Sequence, residues 1–162
     1  MEFIALNKDD NQIQEMSIMA TAIVREHFDP LIGQAQNDYM ISKFQTPESI
    51  KNQLEHGSHY FFVQKDHQTI GFLAFYPRGN ALYLSKLYLY KAERGKGYAH
   101  EMMAFVAQEA RDLQLSAIEL NANKHNDACC AYEKLGFKII RSEKNDIGHG
   151  FYMDDYVYRL DL

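Results

Sequence analysis

The six residues from Arg94 to Ala99, with the sequence RGKGYA, have the composition of a phosphate-binding loop. Glycine allows a backbone to approach a ligand closely and to adopt dihedral angles that other residues resist. The segment lies between a predicted strand over residues 81–90 and a predicted amphipathic helix over residues 98–113. The first turn of a helix presents unpaired N–H groups and the positive end of the helix dipole. The loop therefore predicts a site for a phosphate or pyrophosphate group.

A second segment, downstream of the loop, begins near Asn126 and contains the run YEKLGF from Tyr132 to Phe137. The two segments, in this order and spacing, resemble the GNAT superfamily of acetyl-CoA-dependent N-acetyltransferases. The family patterns are Arg/Gln-x-x-Gly-x-Gly/Ala for the loop and Asn-x-x-Ala…Tyr-x-x-x-Gly-Phe for the later segment. The matching residues are Arg94, Gly97 and Ala99 in the first, and Ala128, Tyr132, Gly136 and Phe137 in the second.

One position departs from the family pattern. The family asparagine lies seven residues before the tyrosine, and that position is His125 in this chain. Asn126 lies one residue later and Asn123 lies two residues earlier. Asn126 is the expected cofactor-binding residue, and the sequence leaves open which of the three takes the asparagine's role.

The resemblance implies that acetyl-CoA is the co-substrate and that no metal ion takes part. The backbone N–H groups that would hold its pyrophosphate belong to Gly95, Lys96, Gly97, Tyr98 and Ala99. Arg94 would add a positive charge near the phosphates. Main-chain groups of Leu87 and Leu89 would pair with the pantetheine amides as an added strand does, and the Leu87 N–H would lie near the thioester oxygen.

The resemblance also assigns the chemical steps. Tyr132 matches the family tyrosine that protonates the departing thiolate, and an ordinary phenol pKa of about 10 suits a thiol pKa of about 8.5. Glu119, in a predicted strand over residues 117–122, is the candidate base that would draw a proton from the amine through water. His125 and His149 are further candidates, because imidazole is a common general base, and the alternative for both is an ordinary solvated loop position.

The acceptor site is expected to come from segments outside the cofactor motifs, because binding sites favour loops on a rigid scaffold. Residues 28–44 and 149–152 are aromatic and irregular, and they are predicted to form its walls. Side chains that could line an amine pocket are Asp146, Tyr152, Asp154 and Asp155. The alternative for the three aspartates is an ordinary role as solvated turn charges.

Composition limits the class of protein. With 162 residues and 46% apolar content, the chain suits one domain over residues 1–162. A net charge of −5 without a basic stripe gives nucleic-acid binding no support. No run reaches the ~20 apolar residues that cross a bilayer. Cys129 and Cys130 are adjacent on a predicted helix, where packed thiols are expected in place of a disulfide, and a cytoplasmic protein is expected.

The predicted elements form a mixed α/β sheet with flanking helices. A strand is predicted near residues 2–6, and strands over residues 59–65, 69–76 and 81–90 form an antiparallel meander by their short connections. Further strands are predicted at residues 117–122, 137–141 and 151–160, and helices at residues 11–27, 32–44, 47–55, 98–113 and 127–135. The GNAT resemblance adds a splay between the fourth and fifth main strands, into which the pantetheine arm inserts.

The leading functional prediction is direct transfer of an acetyl group from acetyl-CoA to a primary amine of a small molecule. One alternative is a protein or peptide N-terminal acetyltransferase. The other is a non-catalytic module that binds acetyl-CoA, which the presence of Tyr132 disfavours. Neither a nucleic acid nor a membrane is an expected partner, and a homodimer is compatible with the sequence.

Overall fold

A computed structural model describes all of residues 1–162. Seven strands form one mixed sheet in the order β1-β2-β3-β4-β5-β7-β6. The strands are β1 (Glu2–Ala5), β2 (His59–Lys65), β3 (Gln68–Arg78), β4 (Ala81–Leu89), β5 (Ala117–Asn123), β6 (Lys138–Gly148) and β7 (Phe151–Asp161). The helices are α1 (Asp10–Ile32), α2 (Gln34–Phe44), α3 (Pro47–Glu55), α4 (Tyr98–Asp112) and α5 (Ala128–Lys134), with a short 3₁₀ helix at Lys91–Glu93. The predicted α/β class and its antiparallel N-terminal strands are confirmed.

The chain divides into two compact units. The N-terminal unit comprises residues 1–76 and 86–102, and the C-terminal unit comprises residues 77–85 and 103–162. The N-terminal unit therefore holds α1 to α3, β1, β2, most of β3 and the second half of β4. The C-terminal unit holds the first half of β4, most of α4, and all of β5, α5, β6 and β7.

The core of the N-terminal unit joins α1 to strands β2 and β3. Apolar residues recur on one face of α1 at helical spacing and are buried; they are Ile13, Met16, Met19, Ala20 and Ile23. They pack with side chains from the neighbouring strands, namely Tyr60, Phe62, Phe72 and Ala74. Burial of each large side chain contributes roughly 1.5–3 kcal/mol, so this face fixes α1 on the sheet.

The end of α1 differs from the sequence-based prediction. The helix was expected to stop at Asp29-Pro30, but it continues to Ile32, and the prediction is wrong. A proline in the last turn removes one N–H donor and leaves the hydrogen bonds after it intact. Gly33, with a φ of 87°, ends the helix and donates its N–H to the carbonyl of Asp29.

The start of α3 is confirmed at the level of the cap. The Thr46 hydroxyl accepts a hydrogen bond from the Ser49 N–H at 3.1 Å, and Pro47 occupies the first turn. The fixed φ of proline suits that position, where its missing N–H removes no helical hydrogen bond.

Strands β4 and β5 pair in parallel over only three residue pairs. These join Ala81, Leu82 and Tyr83 to Ala117, Ile118 and Glu119, although the strands contain nine and seven residues. On its other side β5 pairs with β7 along its entire length, from Ala117 to Asn123. The parallel β4–β5 pair covers only the start of β4, as the predicted splay between the fourth and fifth strands requires.

The β6–β7 hairpin is longer than the sequence suggested. A strand was predicted over residues 137–141, but β6 extends from Lys138 to Gly148 along the edge of the sheet. Most of its residues are exposed, including the consecutive Ile139 and Ile140. The apolar–polar alternation that identifies a half-buried strand is therefore missing, and the prediction ended too early.

Gly71 is the point at which β3 and β4 come closest. A Cβ atom built on Gly71 would lie 2.1 Å from the Tyr88 carbonyl oxygen and 3.0 Å from the Leu89 Cα. Both neighbouring atoms are backbone, so neither can rotate away as a side chain would. A glycine is therefore required where β3 lies against the second half of β4.

Replacement of Gly71 by alanine is expected to lower the free energy of unfolding by at least about 2 kcal/mol, because the new methyl group overlaps a strand backbone. Urea denaturation would measure the change. Gly57→Ala is the matched control, since Gly57 has a φ of 98° and no atom within 4 Å of its Cβ position. That variant is expected to lose only about 1 kcal/mol from backbone strain. If Gly71→Ala and Gly57→Ala lose the same free energy of unfolding, the steric overlap at Gly71 is contradicted.

Lys86 is the buried lysine of the N-terminal unit, with 7% of its surface exposed. Its Nζ donates to the Phe44 carbonyl at 3.0 Å, to the Gln45 side-chain oxygen at 3.0 Å and to the Tyr60 hydroxyl. All three acceptors are uncharged. Desolvation by burial lowers the Lys86 pKa to about 7, because nothing nearby carries the opposite charge at hydrogen-bonding distance.

The Lys86 pKa gives stability a defined pH dependence. Between about pH 7 and pH 10.5 the unfolded chain holds a proton on Lys86 that the folded chain has lost, so stability rises with pH in this window. Wild-type protein is expected to gain about 2 kcal/mol between pH 7 and pH 9 relative to Lys86→Met. Burial also raises the Tyr60 pKa, so Tyr60 stays protonated in this range. Guanidinium denaturation at a series of pH values measures the effect. If the free energies of unfolding of wild type and Lys86→Met change with pH in the same way, the lowered Lys86 pKa is refuted.

Candidate active site

The loop between β4 and α4 has the backbone that a phosphate site requires. Gly95 and Gly97 have φ values of 76° and 82°, in the left-handed region that favours glycine. No atom lies within 4 Å of a Cβ position on either residue, and both are exposed. Helix α4 begins at Tyr98, immediately after the second glycine. The predicted arrangement of strand, glycine loop and helix N-terminus is therefore present, with its N–H groups on an open surface.

Arg94 points back toward the strand. Its Nε and Nη2 donate to the Leu89 carbonyl at 3.3 and 3.2 Å, which ties the start of the loop to the end of β4. Lys96 forms an exposed ion pair with Glu93 at 3.2 Å, and the Lys65 ammonium lies 5.9 Å from the Tyr98 ring centre. Arg94 therefore shapes the loop, and its predicted contact with the phosphates remains a prediction.

Residues of α1 and α2 lie along the second half of β4. Glu26 accepts a hydrogen bond from the Lys91 N–H at 2.7 Å. The Phe28 ring packs edge-on against the Tyr88 ring, with centres 5.9 Å apart. Phe28, the first residue of one predicted wall segment, therefore lies beside the strand that carries Leu87 and Leu89, both half-buried, and the acceptor wall itself stays a prediction. Glu26 was not singled out from sequence, because a lone glutamate in a helix carries no motif.

Tyr132 lies on α5 in the C-terminal unit. Its ring contacts the rings of Phe137 and Tyr158, with centres 6.0 and 5.8 Å apart. The N–H groups of Leu135 and Phe137 both donate to its carbonyl, which closes the turn after the helix. Desolvation, followed by the nearby Cys129, raises the Tyr132 pKa to about 12. The phenol is therefore fully protonated near neutral pH and available as a proton donor.

The polar residues before α5 are used to start the helix. The Asn126 side-chain oxygen accepts from the Ala128 N–H at 3.0 Å, and the Asn123 side-chain oxygen accepts from the His125 N–H at 2.9 Å. Asn126 thus satisfies the N–H of the first residue of α5, and Asn123 satisfies an N–H in the turn before the helix. The exposed His125 occupies the family position, and which of the three acts on the cofactor stays a prediction.

Glu119 forms an ion pair. Arg159, its partner across the β5–β7 ladder, places Nη1 3.4 Å from the Glu119 carboxylate. To accept a proton, Glu119 would have to give up part of this attraction, which counts against a role as general base. The assignment stays a prediction.

The predicted amine-pocket acids have three separate environments. Asp146 accepts from the Gly148 N–H at the hairpin turn, and Asp154 forms an ion pair with Lys124 at 3.0 Å. Asp155 is buried, and desolvation raises its pKa. The Asn121 amide donates to it at 3.4 Å.

The structure contains no group of three or more His, Cys, Asp or Glu side chains that could hold a metal ion. None of its helices is long and apolar enough to cross a membrane. Cys129 and Cys130 are free thiols, as expected.

Comparison with known proteins identifies the family. A family model described as "Acetyltransferase (GNAT) domain" matches residues 28–153. No curated protein sequence matches the chain. The PaiA N-acetyltransferase of Thermoplasma acidophilum, solved in complex with coenzyme A, is 15% identical with a TM-score of 0.78, and all of both chains is covered.

Two further solved structures share the fold. A GCN5-related N-acetyltransferase from Rhodopseudomonas palustris is 11% identical with a TM-score of 0.80, covering 99% of this chain and 95% of the other. The ribosomal-protein-alanine N-acetyltransferase of Brucella melitensis is 16% identical with a TM-score of 0.68, covering all of both chains. The family match extends over most of the chain and includes the glycine loop and the Tyr132 segment. The chain belongs to the GNAT family of acetyltransferases.

Proposed function

We propose that this acetyltransferase, as one domain over residues 1–162, transfers an acetyl group directly from acetyl-CoA to a primary amine of a small molecule. The observation that carries the proposal is the open loop at Gly95 and Gly97, which leads into the N-terminus of α4. Such a loop can bind a pyrophosphate through backbone N–H groups without any side chain between them. The solved PaiA N-acetyltransferase holds coenzyme A, which supports the same ligand here.

The reaction requires one bond to form, one to break and two protons to move. The amine nitrogen attacks the thioester carbonyl carbon, and the carbon–sulfur bond breaks as the amide forms. The N–H of Leu87 would donate to the carbonyl oxygen as negative charge develops on it. Tyr132 would give its proton to the departing thiolate and regain one from solvent, and the neutral amine would lose a proton to water or, through water, to Glu119.

The raised Tyr132 pKa limits how much this acid can contribute. A phenol with a pKa of about 12 is a weaker acid than a thiol with a pKa of about 8.5, so complete transfer of its proton is uphill. A hydrogen bond that strengthens as the thiolate leaves is the stronger part of its effect. We therefore expect a contribution near the lower end of the range for general acids.

Contacts along β4 favour a cationic small molecule as acceptor. The Glu26 carboxylate accepts a hydrogen bond from the Lys91 N–H, just after β4. The Phe28 ring packs against the ring of Tyr88 in β4. Carboxylates and aromatic faces both attract an alkylammonium group. The second candidate is a protein N-terminus, supported by the fold shared with the ribosomal-protein-alanine enzyme.

An acceptor screen tests the proposal. Release of free thiol from acetyl-CoA would be followed with polyamines, aminoglycosides, amino acids and alanine-terminated peptides. Turnover with small amines alone supports the proposal, and turnover confined to the peptides would replace it by the second candidate. Binding of acetyl-CoA without turnover on any amine would indicate a non-catalytic module.

The first functional prediction concerns the glycine loop. Gly97→Val is expected to weaken acetyl-CoA binding by at least about tenfold, because a branched side chain cannot hold a φ of 82° and would cover the N–H groups. Titration calorimetry with acetyl-CoA measures the affinity.

Gly79→Val is the matched control for Gly97→Val. Gly79 also has a positive φ of 64° and no atom within 4 Å of its Cβ position, but it lies in the turn between β3 and β4. Its substitution is expected to leave the affinity unchanged. A folded Gly97→Val protein that binds acetyl-CoA as the wild type does would remove the loop from the cofactor site.

The second prediction concerns Tyr132. Tyr132→Phe keeps the ring and its contacts with Phe137 and Tyr158 but removes the hydroxyl. We expect kcat to fall by about 100-fold, while acetyl-CoA affinity changes by less than about threefold. Steady-state kinetics and calorimetry check the two quantities. Tyr156→Phe, on the same unit but outside the motif, is the control. If Tyr132→Phe turns over within a few-fold of the wild type while chemistry limits the rate, Tyr132 is structural only.

A further inference from the structure

The C-terminal end of α2 is held by side chains from four other elements. The three carbonyls of Lys43, Phe44 and Gln45 each accept a hydrogen bond from a side chain elsewhere in the N-terminal unit. The donors are Ser49 Oγ at 2.8 Å for Lys43, Lys86 Nζ and Gln53 Nε2, both at 3.0 Å, for Phe44, and Ser17 Oγ at 2.6 Å for Gln45. We call this group of side chains the α2 clamp. Its donors come from α1, α3 and β4, and β2 contributes Tyr60, whose hydroxyl contacts Lys86 and donates to Gln53.

Lys86 differs from the other members because its side chain can carry a positive charge. The last carbonyls of a helix form the negative end of its dipole, and a cation there is favourable. Even so, removing an ammonium from water without an anionic partner is costly, and an apolar residue of similar length would fill the same space without that cost. Packing alone therefore gives no reason for a lysine at this position.

The position of Lys86 in β4 supplies such a reason. The next residue is Leu87, whose main chain is expected to meet the pantetheine arm and the thioester. On the other side of the contact is the end of α2, in the segment expected to bind the acceptor. Acyl transfer is sensitive to displacements of about 1 Å between reacting groups. A rigid link between these two segments would hold acceptor and thioester at a fixed distance.

We propose that Lys86 is a positioning residue for acyl transfer, which pins the C-terminal end of α2 to β4 one residue from Leu87. The inference rests on the proposed function, because it assigns α2 to the acceptor side and β4 to the cofactor side. Lys86 touches neither reactant and acts through the placement of α2. Loss of the hydrogen bonds from Lys86 to α2 leaves the glycine loop and α4 unchanged. The affinity for acetyl-CoA is therefore kept, while the affinity for the acceptor falls.

The test separates acceptor binding from cofactor binding. For Lys86→Met, we expect the acceptor KM to rise by about tenfold or more, with acetyl-CoA affinity within about threefold of wild type. The acceptor used is the amine with the highest turnover among spermidine, tyramine and an alanine-terminated tetrapeptide. Ser17→Ala is the matched control, since it removes another buried hydrogen bond of the α2 clamp without touching β4. It is expected to lower the melting temperature while leaving the acceptor KM within about twofold.

The outcomes are distinguishable. If Lys86→Met behaves as Ser17→Ala does, losing stability but keeping both binding constants, the inference is overturned and Lys86 is only structural. If the wild type turns over none of the three amines, the proposed function fails, and the assignment of α2 falls with it. If Lys86→Met does not fold, Gln45→Leu decides, because it removes the side-chain oxygen through which the end of α2 binds Lys86. A rise in the acceptor KM of about threefold or more then supports the inference, and an unchanged KM overturns it.

Discussion

Strand β4 must be held in place although part of its edge forms no ladder with β5. Parallel pairing stops after Tyr83 and Glu119, so the rest of the strand needs support from elsewhere. Within the N-terminal unit that support comes from four directions. The Tyr90 N–H donates to the Ile70 carbonyl, Gly71 allows close contact with β3, Glu26 binds the Lys91 N–H, and Arg94 binds the Leu89 carbonyl.

The same constraint explains the residue types around the strand. The edge that the proposed ligand would use cannot also pair with a neighbouring strand, so side chains and a glycine support the strand there. Each contact is weak alone, about 1 kcal/mol for a neutral hydrogen bond and more for one with a charge. All four contacts lie at the C-terminal end of the strand, which they hold together more firmly than any single contact could. Lys86, at the middle of β4, extends this support to α2.

The sequence predicted well those elements whose bounds depend on residues close together in the chain. The bounds of β2 were reproduced, and the start of α3 followed from Thr46 and Pro47. The glycine loop and the Tyr132 segment were both identified because their residue types recur at fixed spacing within one short stretch. The splay came from the family resemblance, and the position of β7 between β5 and β6 was not predicted, since neither leaves a periodic pattern.

The remaining errors have a common cause. Helix α1 continues past Pro30 because the proline lies in its last turn, where few helical hydrogen bonds remain. The residue type alone does not show how near the end of the helix a proline lies. Strand β6 lacked alternation because both its faces are largely exposed. The environment of Lys86 involves residues 26 to 42 positions away in sequence, so no local window could show that this lysine is buried. Glu119 and its ion-pair partner Arg159 lie 40 residues apart in sequence, so no local window could show their contact either.

The outer strand β6 also bears on the solubility of the folded chain. As the last strand of the sheet, it has one side with no strand neighbour, and the adjacent Ile139 and Ile140 are both exposed beside it. Such an edge is a template for pairing with another molecule. Charged residues occupy much of the same strand, among them Lys138, Arg141, Glu143 and Lys144. An edge-to-edge contact would have to remove these charges from water, so β6 discourages the intermolecular sheet that its backbone would otherwise favour.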